Sequence, residues 1–102
     1  MNGIKLVYFK LHTTGLIPQN EESVQIVDIG AMYQTINGQW ETFDKLAQPT
    51  IPIQEEAYGI HGINRALLES QNAPFIAETL WDFAHYIRPP RGQVTSCQLL
   101  KQ

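Results

Sequence analysis

The sequence has 102 residues, 43% hydrophobic and 17% charged, the composition of one small globular domain rather than of a disordered or collagenous chain. A chain of this size buries somewhat over ~60% of its unfolded surface, enough for a modest core. The formal net charge of −3 argues against a basic, phosphate-coating DNA binder, and the single Cys97 excludes a disulfide-stapled secreted fold.

Ile4 to His12 alternates as a strand does. Ile4, Leu6, Tyr8, Lys10 and His12 share one face, and Val7, Phe9 and Leu11 share the other. Gly15 and Pro18 punctuate a turn, and Gln19 to Ser23 reads as a polar loop. Val24 to Ile36 is rich in β-formers and makes a second strand, with Gly30 marking a bulge or a close packing contact. Asn37-Gly38 predicts a two-residue type I′ hairpin leading into a third strand, Gln39 to Leu46. That register sets Thr35 opposite Trp40, Tyr33 opposite Thr42 and Met32 opposite Phe43.

Gln48-Pro49 to Pro52 is an extended connector. A short helix over Gln54 to Tyr58 ends at Gly59, and Asn64 caps a second over Arg65 to Glu69. Pro74 suits the first turn of a longer helix running to about Ile87, whose Ile76, Leu80, Phe83 and Ile87 form one buried stripe. Arg88-Pro89-Pro90-Arg91-Gly92 stops it, and Val94 to Leu100 is suited to one more short strand. Trp40, Trp81 and Phe83 read as core, Cys97 as a small buried residue and His85 as a helix-surface residue. His61 reads as a turn hydrogen-bonder. The spacings between His12, His61, His85 and Cys97 are 49, 24 and 12 residues, with no short chelate pair of the kind zinc sites show. The longest apolar run near the start, Leu6-Val7-Tyr8-Phe9, is far too short for a membrane span or a signal peptide. The expectation is an intracellular protein, cytoplasmic or nuclear, with no membrane association.

Four ordered segments carry a family resemblance. They are Val7-Tyr8-Phe9-x-Leu11-x-Thr13-Thr14-Gly15-Leu16-x-Pro18, then Ile26-Val27-Asp28-Ile29-Gly30-Ala31, then Gln48-Pro49 with Ile51-Pro52-Ile53, and finally Ala57 with Ile60-His61-Gly62-Ile63. Together they resemble the N-terminal part of the DEDD-type (DnaQ-like) 3′→5′ exonucleases, over about Ile4 to Ile87. The resemblance implies an α/β chain: a truncated ribonuclease H-like fold, three antiparallel strands followed by helices, forming a single partial domain over residues 1–102.

The resemblance also implies a site. The family's first motif is Asp-x-Glu-Thr-Thr-Gly-Leu, whose two acids project from one strand face and hold metal ions. Those ions clamp the attacking water and the leaving oxygen. Here the acid positions are Lys10 and His12. An ammonium about 4 Å from a divalent cation is repelled by roughly 8 kcal/mol at an effective dielectric of 20, a bare Coulomb figure whose sign decides the matter. No Asp follows Asp82, so the family's second acidic motif is missing as well. The implied catalytic set is therefore empty, and the Mg²⁺ of the family is not expected as a cofactor. Thr13, Thr14, Gly15 and Leu16 match residues that cradle the terminal nucleotide in the family; equally, Gly15 and Pro18 make a turn and Leu16 plugs the core. Lys10 and His12 either contact a phosphate in place of the metal or are solvated residues of a disused face.

The expected function is that of a degenerate, catalytically inactive exonuclease-like pseudoenzyme. Its expected partners are single-stranded nucleic acid, bound weakly, and a protein or second copy paired along an exposed sheet edge. The alternative is a fragment or isoform of an active metal-dependent exonuclease acting on DNA or RNA.

Overall fold

A computed structural model describes residues 3–15 and 24–100. The expected loop over Gln19 to Ser23, and Leu16 and Pro18, lie outside the described residues. Among the described residues four strands form one sheet: β1 (Ile4–Thr13), β2 (Ile26–Gln34), β3 (Trp40–Leu46) and β4 (Val94–Leu99). Their order is β3-β2-β1-β4, antiparallel from β3 to β1, with β4 added parallel to β1. Between β3 and β4 come α1 (Glu55–His61), α2 (Arg65–Ser70) and α3 (Ile76–Tyr86). The expected three antiparallel strands and following helices are all present.

The hairpin differs from expectation by one residue. Thr35 N–H donates to Gln39 O at 2.7 Å and Gly38 N–H donates to Thr35 O at 2.9 Å. Ile36, Asn37 and Gly38 therefore make a three-residue loop, a tight turn closed by Gly38 at φ 84°. Asn37 does not adopt positive φ. The pairs become Ala31 with Phe43, Met32 with Thr42, Tyr33 with Glu41 and Gln34 with Trp40. A one-residue slip exchanges the two faces of a strand, so Phe43 turns to the helix side and Asp44 to the opposite side. Only Gly38 carries the backbone demand. Gly38→Val is expected to cost about 1–2 kcal/mol, whereas Asn37→Val stays within about 0.5 kcal/mol. Urea-denaturation midpoints of the two variants would separate these outcomes.

α3 covers the sheet face that carries Val7, Phe9, Ala31, Tyr33 and Phe43. Phe83 meets Phe9 and Phe43 with ring centroids at 6.1 and 5.5 Å, and Tyr86 meets Tyr33 and Phe43 at 5.3 and 5.0 Å. Thr79 is wholly buried and donates its hydroxyl to Leu46 O at 2.8 Å. The Lys5 ammonium lies 4.0 Å above the Tyr33 ring. It donates to the Tyr86 and Arg88 carbonyls at 2.6 and 3.1 Å, satisfying orphan acceptors at the helix end.

The α3 stripe thus runs through Thr79, Phe83 and Tyr86. Leu80, expected inside, is 45% exposed, and Trp81 is 67% exposed. Trp40 also lies outside the core, and Cys97 is exposed on the edge strand. α3 begins at Ile76, two residues later than a helix with Pro74 at its first position. α1 runs through Gly59 and ends at Gly62, whose φ of 69° lets its N–H reach Tyr58 O. Asn64 caps α2 as expected, its side chain accepting from Leu67 N–H at 2.8 Å. A second core of Val27, Ile63 and Leu68, flanked by Leu46, Ile53 and Ala73, fixes α2 beside the inner end of β2.

Candidate functional site

The sheet face opposite α3 carries the candidate site. Strand parity places Lys10 and His12 of β1 on it, facing Gly30 and Asp28 of β2. Asp44 of β3 pairs with Gly30 and joins the same face. His61, at the end of α1, closes one side. These five polar residues, with Leu67 and Gln71 from the α2 segment, line an open cleft of about 450 Å³.

Gly30 is a close packing contact. The Lys10 stem lies across it, with Lys10 Cε 3.1 Å from where a Cβ of residue 30 would stand. This lays the ammonium toward the β3 side of the cleft. His12 Nδ1 is 3.3 Å from Asp28 Oδ2, and its ring centroid is 5.3 Å from that of His61. Burial, reinforced by His61 and Lys10, holds the His12 pKa below the ordinary imidazole value, while Asp44 opposes the shift.

Asp28 is the most unusual group. Its side chain is only 7% exposed, and its Oδ1 is buried without a hydrogen-bond donor. Burial pushes its pKa up to about 8. A hydrogen bond to Asp44 and the Asp44 charge add to this, and Lys10 opposes it. Asp44 stands on the same sheet face, and the His12 Nδ1 beside Asp28 is likewise buried without a hydrogen-bond partner. The upward shift of Asp28 favours its neutral carboxyl, the form in which a buried, unpartnered oxygen costs least.

The segment Thr13-Thr14-Gly15 is tied down by its neighbours. The Thr14 hydroxyl is buried and accepts from Gln25 N–H at 3.0 Å, and Thr14 O accepts from Gln54 N–H at 2.8 Å. Thr13 Oγ1 donates to Gly15 O at 2.6 Å. Gly15 admits the Gln54 side chain at 2.8 Å from a would-be Cβ. His61 makes the turn bond expected of it. Its Nδ1 accepts from Ile63 N–H at 2.9 Å, which puts the ring proton on Nε2, the atom that donates to Thr13 O at 2.9 Å.

These residues do not fit a Mg²⁺ ion. A hard cation takes oxygen ligands, and the positions that face the cleft from β1 hold an ammonium and an imidazole. Among the described residues no three His, Cys, Asp or Glu side chains converge on one point that would hold a metal. Asp28 and Asp44 supply oxygens, but Asp28 is buried with its pKa raised, which disfavours the charged form a cation needs. Sequence reading passed over Asp44 because the slipped hairpin register placed it on the other face.

No family model matches the chain. It is 36% identical over 81 residues to a DNA polymerase III subunit epsilon-like protein of Rhodobacter capsulatus. That match takes in 76% of this chain but only 11% of the relative, so the chain spans about a tenth of that protein. Among solved structures, cell-death related nuclease 4 superposes with a TM-score of 0.68 at 12% identity, over 91% of this chain and 34% of that one. Exonuclease X in complex with 5′ overhanging duplex DNA superposes with a TM-score of 0.60 at 26% identity, over 82% of this chain and 44% of that one. The fold and the sequence together define an exonuclease-like domain with ribonuclease H-like architecture. The resemblance is to the DnaQ-like 3′→5′ exonucleases. No helix of the described residues is long and apolar enough to cross a membrane.

Proposed function

We propose that this chain is a degenerate exonuclease-like domain that has given up two-metal cleavage and binds single-stranded nucleic acid without a metal ion. The observation that carries this reading is Lys10, an ammonium that faces the cleft where the resembled motif has a metal-binding acid. A fixed cation there meets a backbone phosphate directly. Thr13, Thr14, Gly15 and Leu16 correspond to the segment that cradles a terminal nucleotide in the family. In this chain Thr13 is bonded to His61 of the cleft, while the Thr14 hydroxyl is already committed to Gln25. The likeness to Exonuclease X, a structure containing DNA, supports nucleic acid as the ligand class. No membrane partner enters the reading.

The expected results are two. A 3′-labelled single strand incubated with the wild-type chain and Mg²⁺ or Mn²⁺ releases no mononucleotides. Fluorescence anisotropy at low salt in EDTA shows binding that weakens about tenfold in Lys10→Glu, since charge reversal at one phosphate contact costs on the order of 1.4 kcal/mol or more. Robust metal-dependent release by the wild-type chain would restore the active-exonuclease alternative and overturn the proposal. Equal affinity of wild type and variant would remove Lys10 from the binding face.

A further inference from the structure

Three strands bring four charged or titratable groups to one cleft, and two of the four are acids. β1 contributes Lys10 and His12, β2 contributes Asp28 and β3 contributes Asp44. α1 adds His61, whose two ring nitrogens are both engaged, and the α2 segment adds only the uncharged Leu67 and Gln71. Asp28 is more than nine-tenths buried, lines this cleft, and keeps an oxygen that no donor reaches. Asp44 is exposed and pairs with Gly30, two residues along β2 from Asp28, on the same face.

We propose that Asp28 and Asp44 are a proton-operated gate on the Lys10 phosphate site. The inference rests on the nucleic-acid reading above and names the regulation of that same site. While Asp28 holds its proton, the Asp44 carboxylate is balanced by the Lys10 ammonium. A phosphate then meets a cleft that is neutral overall and has an ammonium to bind. When Asp28 loses its proton, the cleft carries a net negative charge and rejects the phosphate. The shift of Asp28 toward about 8 puts this change just above neutrality. His12 acts in the same direction on the acid side, because its protonation below the ordinary imidazole range adds a positive charge. The alkaline limb belongs to Asp28 and the acid limb to His12.

The test is binding of a fluorescein-labelled single-stranded DNA to the full chain in EDTA at constant ionic strength, from pH 6.5 to 9, with circular dichroism recorded at each pH. The wild-type chain is expected to lose about tenfold or more in affinity across that range, the effect of one added charge near the bound phosphate. Asp28→Asn, which keeps the shape and supplies a permanent N–H donor to Asp44, is expected to bind with nearly constant affinity. Wild-type binding that is flat with pH, or an alkaline loss of equal size in Asp28→Asn, overturns the gate and leaves the nucleic-acid reading intact. Absence of binding at every pH overturns both. A carboxyl-carbon NMR titration of the wild-type chain needs no variant and no ligand. An Asp28 midpoint in the ordinary carboxylate range overturns the gate whatever the binding data show.

Discussion

Phe83→Ala is expected to lower the unfolding free energy by about 3 kcal/mol, the lower end of the range for truncating a core Phe because this ring is half-buried. Phe83 is where α3 meets two non-adjacent strands. Its ring touches Phe9 of β1 and Phe43 of β3 and lies 6.3 Å from Tyr86. Removing it empties the centre of a four-ring cluster, and neighbouring side chains fill such a space only in part. A small domain has on the order of 5–15 kcal/mol in total, so the loss is a large share. The informative comparison is Trp81→Ala two residues earlier on the same helix. Trp81 is larger, yet it is 67% exposed, and its loss is expected to change stability by no more than about 0.5 kcal/mol. Guanidinium denaturation of both variants decides the matter: equal losses would mean that α3 presents a different face to the sheet.

The second large effect is on stability as a function of pH. The carboxyl group of Asp28 moves from an ordinary 3.8 in the unfolded chain to about 8 in the fold. Between those values the folded chain holds a proton that the unfolded chain has lost, so raising the pH destabilises the fold, by at most about 1.4 kcal/mol per unit. His12 acts with the opposite sign. Its pKa is lowered from 6.5, so below 6.5 the unfolded chain takes up a proton that the fold resists. The two slopes oppose each other on the acid side, and the His12 contribution fades over about one unit above pH 6.5, leaving Asp28 dominant. Stability is therefore expected to fall by about 1 to 2 kcal/mol from pH 6.5 to 8 in the wild-type chain. Asp28→Asn is expected to remain nearly level over the same interval. Urea unfolding of both proteins at the two pH values checks this, and wild-type stability that rises toward pH 8 contradicts a protonated Asp28.

Most of the strands were legible because their alternation is strong and Asn37-Gly38 marks the hairpin. Asn64 was legible for the same local reason, since a capping side chain and the helix it serves lie within four residues. The failures share a cause in geometry beyond one element. A two-residue and a three-residue loop both use Asn-Gly, and the difference lies in which residue takes positive φ. That single ambiguity moved Asp44 to the wrong face and hid half of the acidic pair. Leu80 and Trp81 were placed inside from periodicity and from size. The sheet instead selected the stripe through Thr79, Phe83 and Tyr86, because the aromatic side chains of β1, β2 and β3 lie there. Thr79 was invisible to an apolar pattern although it is fully buried, because its hydroxyl pairs with a strand-end carbonyl. Lys10 and His12 were legible as departures from a motif. The meaning of Asp28 was not, because its neighbour comes from a strand sixteen residues away.

The parallel strand at the edge has a kinetic consequence. The β2–β3 hairpin closes through a three-residue loop and forms from local contacts alone. β1 gains its second neighbour only from Val94–Leu99, and the Lys5 bond to Tyr86 O spans 81 positions of the chain. The entropy of closing so long a loop is spent before any of those contacts form, which puts the pairing of β1 with β4 late in folding. On a ribosome the same order is enforced by synthesis. β1 leaves the tunnel before β4 and waits, with one row of its amide and carbonyl groups unpaired, until β4 has been made.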